Sequence, residues 1–340
     1  MELAERLPGM TVEEVRRYLS RRRRIGGKTV TALLSDRRRA VRLLGEVCRT
    51  RLRSQARERR RLARLGEIER QLYETGVERV VGVDEAGVSP FAGPVVAAAV
   101  VLPREARIAA LDDSKRLDEP TRDRLFDEIR ARAVDWAVGI ASPRAIDTFN
   151  IYRAAVAAMR LAIGGLEAAT RTGLERPEPG EDGPAGAPPR PALLLDGRRI
   201  RNFPYAHRAI VHGDARCRSI AAASILAKVT RDRLMRSLHE IHPDYNFSSN
   251  KGYGTSEHLD GIRRHGLCAY HRRTFAPVWD LGESGSPEFR LWQEEILHCE
   301  DGERLREIDD TLQPLQPAFL PQEFRTLTRL LRLAQGRLRG

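Results

Sequence analysis

Four acidic residues stand where short apolar runs end. Asp84 and Glu85 close Val80-Val81-Gly82-Val83, Asp196 closes Ala192-Leu193-Leu194-Leu195, and Asp214 follows Gly213 just ahead of an Ala-rich stretch. One such acid alone would ordinarily cap a turn. An adjacent pair plus two more points elsewhere, because strand ends in an open α/β sheet converge on a crevice where ligands bind. Carboxylates gathered there repel one another, and burial raises the cost of ionising each. A cation must offset that cost. Donors that are all oxygen, with no Cys or His nearby, favour Mg2+ or Mn2+ over zinc. Two such ions about 4 Å apart can activate a water and stabilise the leaving oxygen of a phosphodiester.

The basic residues carry a second signal. The 340-residue chain has a net charge of +12, with 55 arginines and only four lysines: Lys28, Lys115, Lys228 and Lys251. Residues 1–78 hold 21 Lys+Arg against 11 Asp+Glu, whereas the rest holds 38 against 36. The positive charge is therefore an N-terminal feature, suited to a polyanion. A nucleic acid fits better than a membrane, since the segment has no strongly apolar face. A merely solvated helical arm is the equal alternative. The last three lysines fall within the motifs below, where a compact ammonium suits a phosphate.

These residues must be positioned by an α/β body. Residues 1–78 read as helical: Thr11-Val12-Glu13-Glu14 forms a capping box, and Ser35-Asp36 opens a second helix running to about Glu74. From Arg79 onward strands alternate with helices, which predicts a mixed α/β sheet over residues 79–279. Val80–Val83 and Val95–Leu102 read as neighbouring strands, Ile151–Leu166 as a buried helix, and Ser219–His239 as a long one. Residues 168–191, rich in Pro and Gly, predict a dispensable low-complexity loop, and residues 280–340 a helical C-terminal appendage. The longest apolar run near the first motif, Val95–Leu102, is far too short to span a bilayer. The acidic N-terminus lacks a secretory signal, and four scattered cysteines without a CxxC pair suit a reducing compartment, so a cytoplasmic location is expected.

The motifs also carry a resemblance. Val83-Asp84-Glu85-Ala86-Gly87, Ala92-Gly93-Pro94-Val95-Val96-Ala97-Ala98, Asp113-Ser114-Lys115, Leu195-Asp196-Gly197, Gly213-Asp214, Ala221-Ala222-Ala223-Ser224-Ile225-Leu226-Ala227-Lys228, Arg231-Asp232, Lys251-Gly252-Tyr253-Gly254-Thr255, His258 and His271-Arg272-Arg273 resemble, in order, the motifs of bacterial ribonuclease HII. The N-terminal arm more loosely resembles an extension found in some members. The resemblance implies a ribonuclease H-like fold, a mixed sheet flanked by helices, here with a helical N-terminal arm and a helical C-terminal appendage. It implies an endonuclease that cuts the RNA of RNA–DNA hybrids, including ribonucleotides embedded in a DNA duplex, in replication and repair. Asp84, Glu85, Asp196 and Asp214 match the family's metal-binding acids for two Mg2+ or Mn2+ ions, and Tyr253 its sugar-stacking tyrosine. An aromatic face and a phenol suit a ribose edge and its 2′-OH, and Lys115, Lys228 and Lys251 become phosphate contacts. Where the family's loop usually reads Gly-Arg-Gly, this chain has Gly87-Val88-Ser89, so strict recognition of one embedded ribonucleotide is expected to be relaxed.

Other patterns are weaker. Gly26-Gly27-Lys28-Thr29 lacks the first glycine and preceding strand of a phosphate-binding loop, and His265, Cys268 and His271 lack a fourth zinc ligand. His258 reads as a structural hydrogen-bonding residue. Two other classes remain open at this level: a hybrid-binding protein without activity, and a recombination nuclease of the wider ribonuclease H-like superfamily.

Overall fold

The computed structural model describes residues 6–22, 25–171, 174, 191–275, 278 and 286–337. The chain divides into two compact units, Met1–Glu67 and Ile68–Gly340. In the first, α1 (Val12–Ser20) opens with the expected capping box: Glu14 N–H donates to the Thr11 hydroxyl at 3.2 Å, and Thr11 N–H to the Glu14 carboxylate at 2.7 Å. Two amides that a helix start leaves unpaired are thereby satisfied. Helices α2 (Gly27–Leu34) and α3 (Arg39–Leu65) follow, and Val15, Leu19, Val30, Leu33, Val41 and Cys48 make the shared core. Ser35-Asp36 does not cap α3. Asp36 instead holds the Arg38 guanidinium, which reaches on to the Leu7 and Met10 carbonyls. Nor does one helix reach Glu74, because α3 stops at Leu65 and α4 (Glu67–Glu74) begins after Gly66.

The second unit runs β1 (Val80–Ala86), β2 (Val95–Val101), α5 (Glu119–Arg132), β3 (Asp135–Ala141), α6 (Pro143–Phe149), α7 (Ile151–Gly164), α8 (Ala168–Arg171), β4 (Ala192–Asp196), β5 (Arg208–Ile210), α9 (Arg218–Ile241), α10 (Phe247–Asn250) and α11 (Ser256–His265). The sheet order is β3-β2-β1-β4-β5. β2 is antiparallel to both β1 and β3, while β4 is parallel to β1 and β5 to β4. All seven residues of β2 are buried, so its unbroken Val/Ala run reflects helices on both faces. Val81, Val83, Leu193 and Leu195 meet Ala154, Ala158 and Ala162 of α7 on one face. On the other, α9 lies directly against β1: a Cβ on Gly82 would sit 2.2 Å from the Ser219 carbonyl carbon. Ile68 and Tyr73 of α4 pack with Val80, Leu194, Ile210 and Ile220, so the end of the stretch read as arm packs within this unit.

The segment read as a low-complexity loop starts as the short helix α8. Residues 172, 173 and 175–190 of it lie outside the described residues. Helices α12 (Pro287–His298), α13 (Gly302–Leu312) and α14 (Pro321–Arg337) build a cluster of their own around Phe289, Ile296, Leu305, Ile308 and Leu327. Among the described residues no helix is long and apolar enough to cross a membrane.

Candidate active site

Strand alternation and register bring the acids together. Gly82 faces α9, so Asp84, two residues on, faces it too. Leu194 also packs on that side, against Ile220, so Asp196 points the same way. The parallel pairing of Val83 with Leu195 then sets Asp84 beside Asp196 where the β1–β4 ladder ends, although β1 itself runs on through both acids to Ala86, paired with β2. Asp214 arrives on the single 3-10 turn Gly213–Ala215 between β5 and α9. One carboxylate oxygen from each of Asp84, Asp196 and Asp214 lies within 4.8 Å of the others. Glu85 is outside that trio, since alternation turns it away from Asp84.

Neighbours hold Asp84 and Asp196 in place. Asp196 accepts the Gly213 N–H at 2.6 Å, and Asp84 accepts the Glu85 N–H at 2.8 Å. Asp84 is also hydrogen-bonded by Ser224 of α9, whose hydroxyl is 2.9 Å from that of Ser114. The start of α9 is fixed from α4. Its N-cap, Cys217, makes no side-chain cap, and the buried Glu69 carboxylate instead accepts Ser219 N–H at 3.0 Å and the Ser219 hydroxyl at 3.1 Å. A carboxylate at a helix N-terminus satisfies free amides and complements the dipole.

The acids pay electrostatically for this proximity. Burial, then the charges of Glu85 and Asp196, holds Asp84 well above the carboxylate range. Burial and Asp196 push Glu85 up to about 7, and burial with Asp113 and Asp196 raises Asp214. The nearby Lys115 responds in kind: burial opposes its charge, but Asp113, Asp84, Asp214 and Asp196 outweigh that and raise its pKa. Mutually repelling oxygen donors at one point suit a hard divalent cation. Lys228 and Lys251 are engaged differently. Lys228 pairs with Asp232 at 2.7 Å, and the Lys251 ammonium donates to the Ser248 carbonyl.

Two buried arginines, quoted in the motifs but assigned no role there, tie the surrounding loops. Arg231 donates to the carbonyls of Pro94 at 3.0 Å, Lys251 at 2.9 Å and Ala92 at 3.1 Å. Arg272 donates to those of Val88 at 2.9 Å and Gly93 at 3.0 Å, and to Gly87. The stripe Ala227-Arg231-Met235, an arginine at helical spacing between buried apolar residues, is the sequence signal for the first. Gly87 has φ +95°, and a Cβ there would meet Arg231 Nε at 2.1 Å, so this loop position requires glycine. With the Gly87 and Val88 carbonyls held by Arg272, the amides of Val88 and Ser89 make no hydrogen bond among the described residues. Tyr253 is 45% exposed on the adjoining loop, whose Gly252 carbonyl accepts Phe91 N–H at 2.8 Å.

The family model for ribonuclease HII matches residues 81–172 and 195–278, which contain all four acids, both arginines and Tyr253. A ribonuclease HII of Anaeromyxobacter sp. (strain Fw109-5) is 42% identical over 275 residues, covering 81% of each chain. One from Geobacillus kaustophilus is 44% identical over 250 residues, 73% of this chain and 88% of its own. The chain belongs to the ribonuclease HII family. It is accordingly an endoribonuclease, and ribonuclease HII activity is hydrolysis of the RNA strand of RNA–DNA hybrids. Among solved structures, the ribonuclease H2 of Pyrococcus horikoshii OT3 is similar at 23% identity with a TM-score of 0.46, covering 60% of this chain and 97% of its own. The mixed sheet with helices on both faces is the ribonuclease H-like fold.

Proposed function

We propose that this ribonuclease HII is divalent-metal-dependent and cuts both RNA–DNA hybrids and ribonucleotides embedded in DNA, leaving 5′-phosphate and 3′-hydroxyl ends. The observation that carries the proposal is the meeting of Asp84, Asp196 and Asp214 within 4.8 Å where the parallel pairing of β1 with β4 ends. Two cations held by these acids and Glu85 would, when bound, supply an activated water and charge to stabilise the departing 3′-oxygen. The protein's part is positioning. Lys115, beside the acids, contacts a backbone phosphate, and Lys228 and Lys251 line the approach. The exposed face of Tyr253 stacks on the sugar next to the cut, and the amides of the Gly87-Val88-Ser89 loop reach the 2′-OH.

The acids make metal binding pH-dependent in a defined direction. Glu85 titrates near 7 in the fold against an ordinary value of 4.5. Between those values the native protein keeps a proton that the unfolded chain has released. This group's stabilising contribution is therefore present below about 4.5 and lost as pH rises through 7. A cation replaces that proton. The rise in Tm on adding Mg2+ or Mn2+ is expected to be larger at pH 8 than at pH 5, read by thermal shift. Equal rises would argue against these acids as ligands.

The substitution of Val88 and Ser89 for the usual Arg-Gly bears on specificity, since a guanidinium contact is gone while backbone amides remain. A ribonucleotide tract in a duplex is expected to be cut faster than a single embedded ribonucleotide, and pure DNA not at all, in Mg2+ and in Mn2+. Equal rates on the first two substrates would refute the relaxed preference. Cleavage of pure DNA would favour the recombination-nuclease reading.

The first unit supplies long-range attraction. Arg51, Arg53, Arg57, Arg59, Arg60 and Arg64 of α3 are exposed, in a unit with its own apolar core. Removing residues 1–67 should weaken hybrid binding and flatten its salt dependence, by about 0.9 in log–log slope per lost phosphate contact. The rate on bound substrate should persist. An unchanged slope would assign α3 a purely structural face. Removal through residue 78 should also lower Tm, because Ile68, Glu69 and Tyr73 go with it.

A further inference from the structure

The chemistry above leaves two fully buried histidines without a task. His258, in the first turn of α11, is 0% exposed, and His271, beyond that helix, is 1% exposed. Their Nε2 atoms are 3.0 Å apart. Tyr245 and Phe247 stack on each other at 5.4 Å and meet the imidazoles edge-on, at 4.7 Å for Tyr245 with His271 and 5.3 Å for Phe247 with His258.

The contacts admit only one arrangement of protons. His258 Nδ1 lies 2.8 Å from the Tyr253 carbonyl oxygen, which can only accept, so Nδ1 carries hydrogen. His271 Nδ1 receives the Cys268 N–H at 3.0 Å, so it offers a lone pair and the hydrogen sits on Nε2. The Nε2–H of His271 must then donate to the bare Nε2 of His258. An extra proton on either ring would set two N–H groups against each other or displace the Cys268 amide. Burial, with the nearby Arg273 charge, brings His271 down to about 3, and burial lowers His258, in keeping with the neutral pair that the contacts require.

The relay ends on the residue proposed to read the substrate sugar. The Tyr253 loop is fixed on one side through the Gly252 carbonyl, which accepts from Phe91 and Ala92. On the other side, the Tyr253 carbonyl accepts from Thr255 N–H at 2.8 Å and from His258. We propose that His258 and His271 are positioning residues, a neutral imidazole relay that locks the Tyr253 peptide and so sets the angle at which the Tyr253 ring meets the substrate. This rests on Tyr253 being the stacking residue. Both ring nitrogens of His271 are thereby engaged, Nε2 by His258 and Nδ1 by the Cys268 amide, with the Cys268 thiol 3.2 Å away.

The unaltered protein supplies the first test. Nitrogen-15 NMR of the histidines at pH 6 should show His258 as the Nδ1–H tautomer and His271 as the Nε2–H tautomer, both neutral. The reverse pairing, or an imidazolium at either position, would overturn the relay. The second test separates the two ends of His258, using a duplex with one embedded ribonucleotide. His258→Gln keeps an acceptor for His271 but loses the donor to Tyr253, whereas His258→Asn keeps that donor. Loss of one neutral hydrogen bond corresponds to about a tenfold effect. The Gln variant is expected to raise KM about tenfold with kcat nearly unchanged, and the Asn variant by less than about threefold, at comparable Tm. In a Tyr253→Ala background His258→Gln should add nothing further. Equal KM effects of Gln and Asn, or full additivity with Tyr253→Ala, would refute positioning while leaving Tyr253 as the sugar contact. A silent Tyr253→Ala would remove the sugar-stacking reading, and the relay's role with it.

Discussion

Asp84→Asn is expected to reduce kcat on an RNA–DNA hybrid by about three to four orders of magnitude. Lewis-acid stabilisation is worth several kcal/mol in such a reaction, and each 1.36 kcal/mol is tenfold in rate. Asp84 feels the charges of both Glu85 and Asp196 and is the most deeply buried of the site acids, so its charge is central to holding a cation. Binding of the hybrid without divalent cation should stay within about twofold, since phosphates are held by basic groups. The same substitution should raise Tm in metal-free buffer, because an amide relieves the repulsion that burial with Glu85 and Asp196 imposes. Lost turnover together with gained stability is a signature that misfolding does not produce. A normal rate in Asp84→Asn would remove the metal assignment.

Arg272→Met tests the staple that carries the substrate loops. The guanidinium is fully buried and satisfies the carbonyls of Gly87, Val88 and Gly93, with a longer contact to Pro94. Methionine matches much of the volume but offers no donor. Pro94 keeps its bond from Arg231, so three carbonyls are stranded. At about 1–3 kcal/mol for each unsatisfied group, less the relief of no longer burying a cation, the net loss is about 3–5 kcal/mol. For a unit of this size that is a fall in Tm of about 10 °C. The Gly87-Val88-Ser89 loop loses its anchor, so kcat/KM on the single-ribonucleotide duplex should fall further than on a ribonucleotide tract. A Tm change under about 2 °C, with unchanged discrimination, would show that the loop is held by other means.

Much of the site was legible before folding because it is written in short-range pattern. Val80–Val83 ending in Asp84-Glu85 and Ala192–Leu195 ending in Asp196 are apolar strands with acids at their carboxyl ends, which is enough to predict a crevice. What the pattern left open was which acids meet. The answer depends on the parallel register of β1 with β4 and on the turn ahead of α9, which set Asp84, Asp196 and Asp214 together. The three lysines read as phosphate contacts also differ in surroundings that residue type does not reveal. Lys228 is paired with Asp232 one helical turn away and Lys251 bends back onto Ser248, contacts invisible to a count of basic residues.

The amino-acid sequence by itself determined the acids, the alternation that buries one face of each strand, the glycine at Gly87, and the basic character of residues 1–78. These follow from backbone conformation, periodicity and charge, which are local properties. Only the tertiary structure decided the partners. Arg272 reaches Gly87 across 185 positions, Glu69 caps α9 across 150, and His271 meets His258 in the interior. A side chain's hydrogen-bonding capacity is intrinsic to its type. Whether it meets a carbonyl, a helix end or another imidazole is set by sheet order and helix packing, which bring distant segments within about 3 Å.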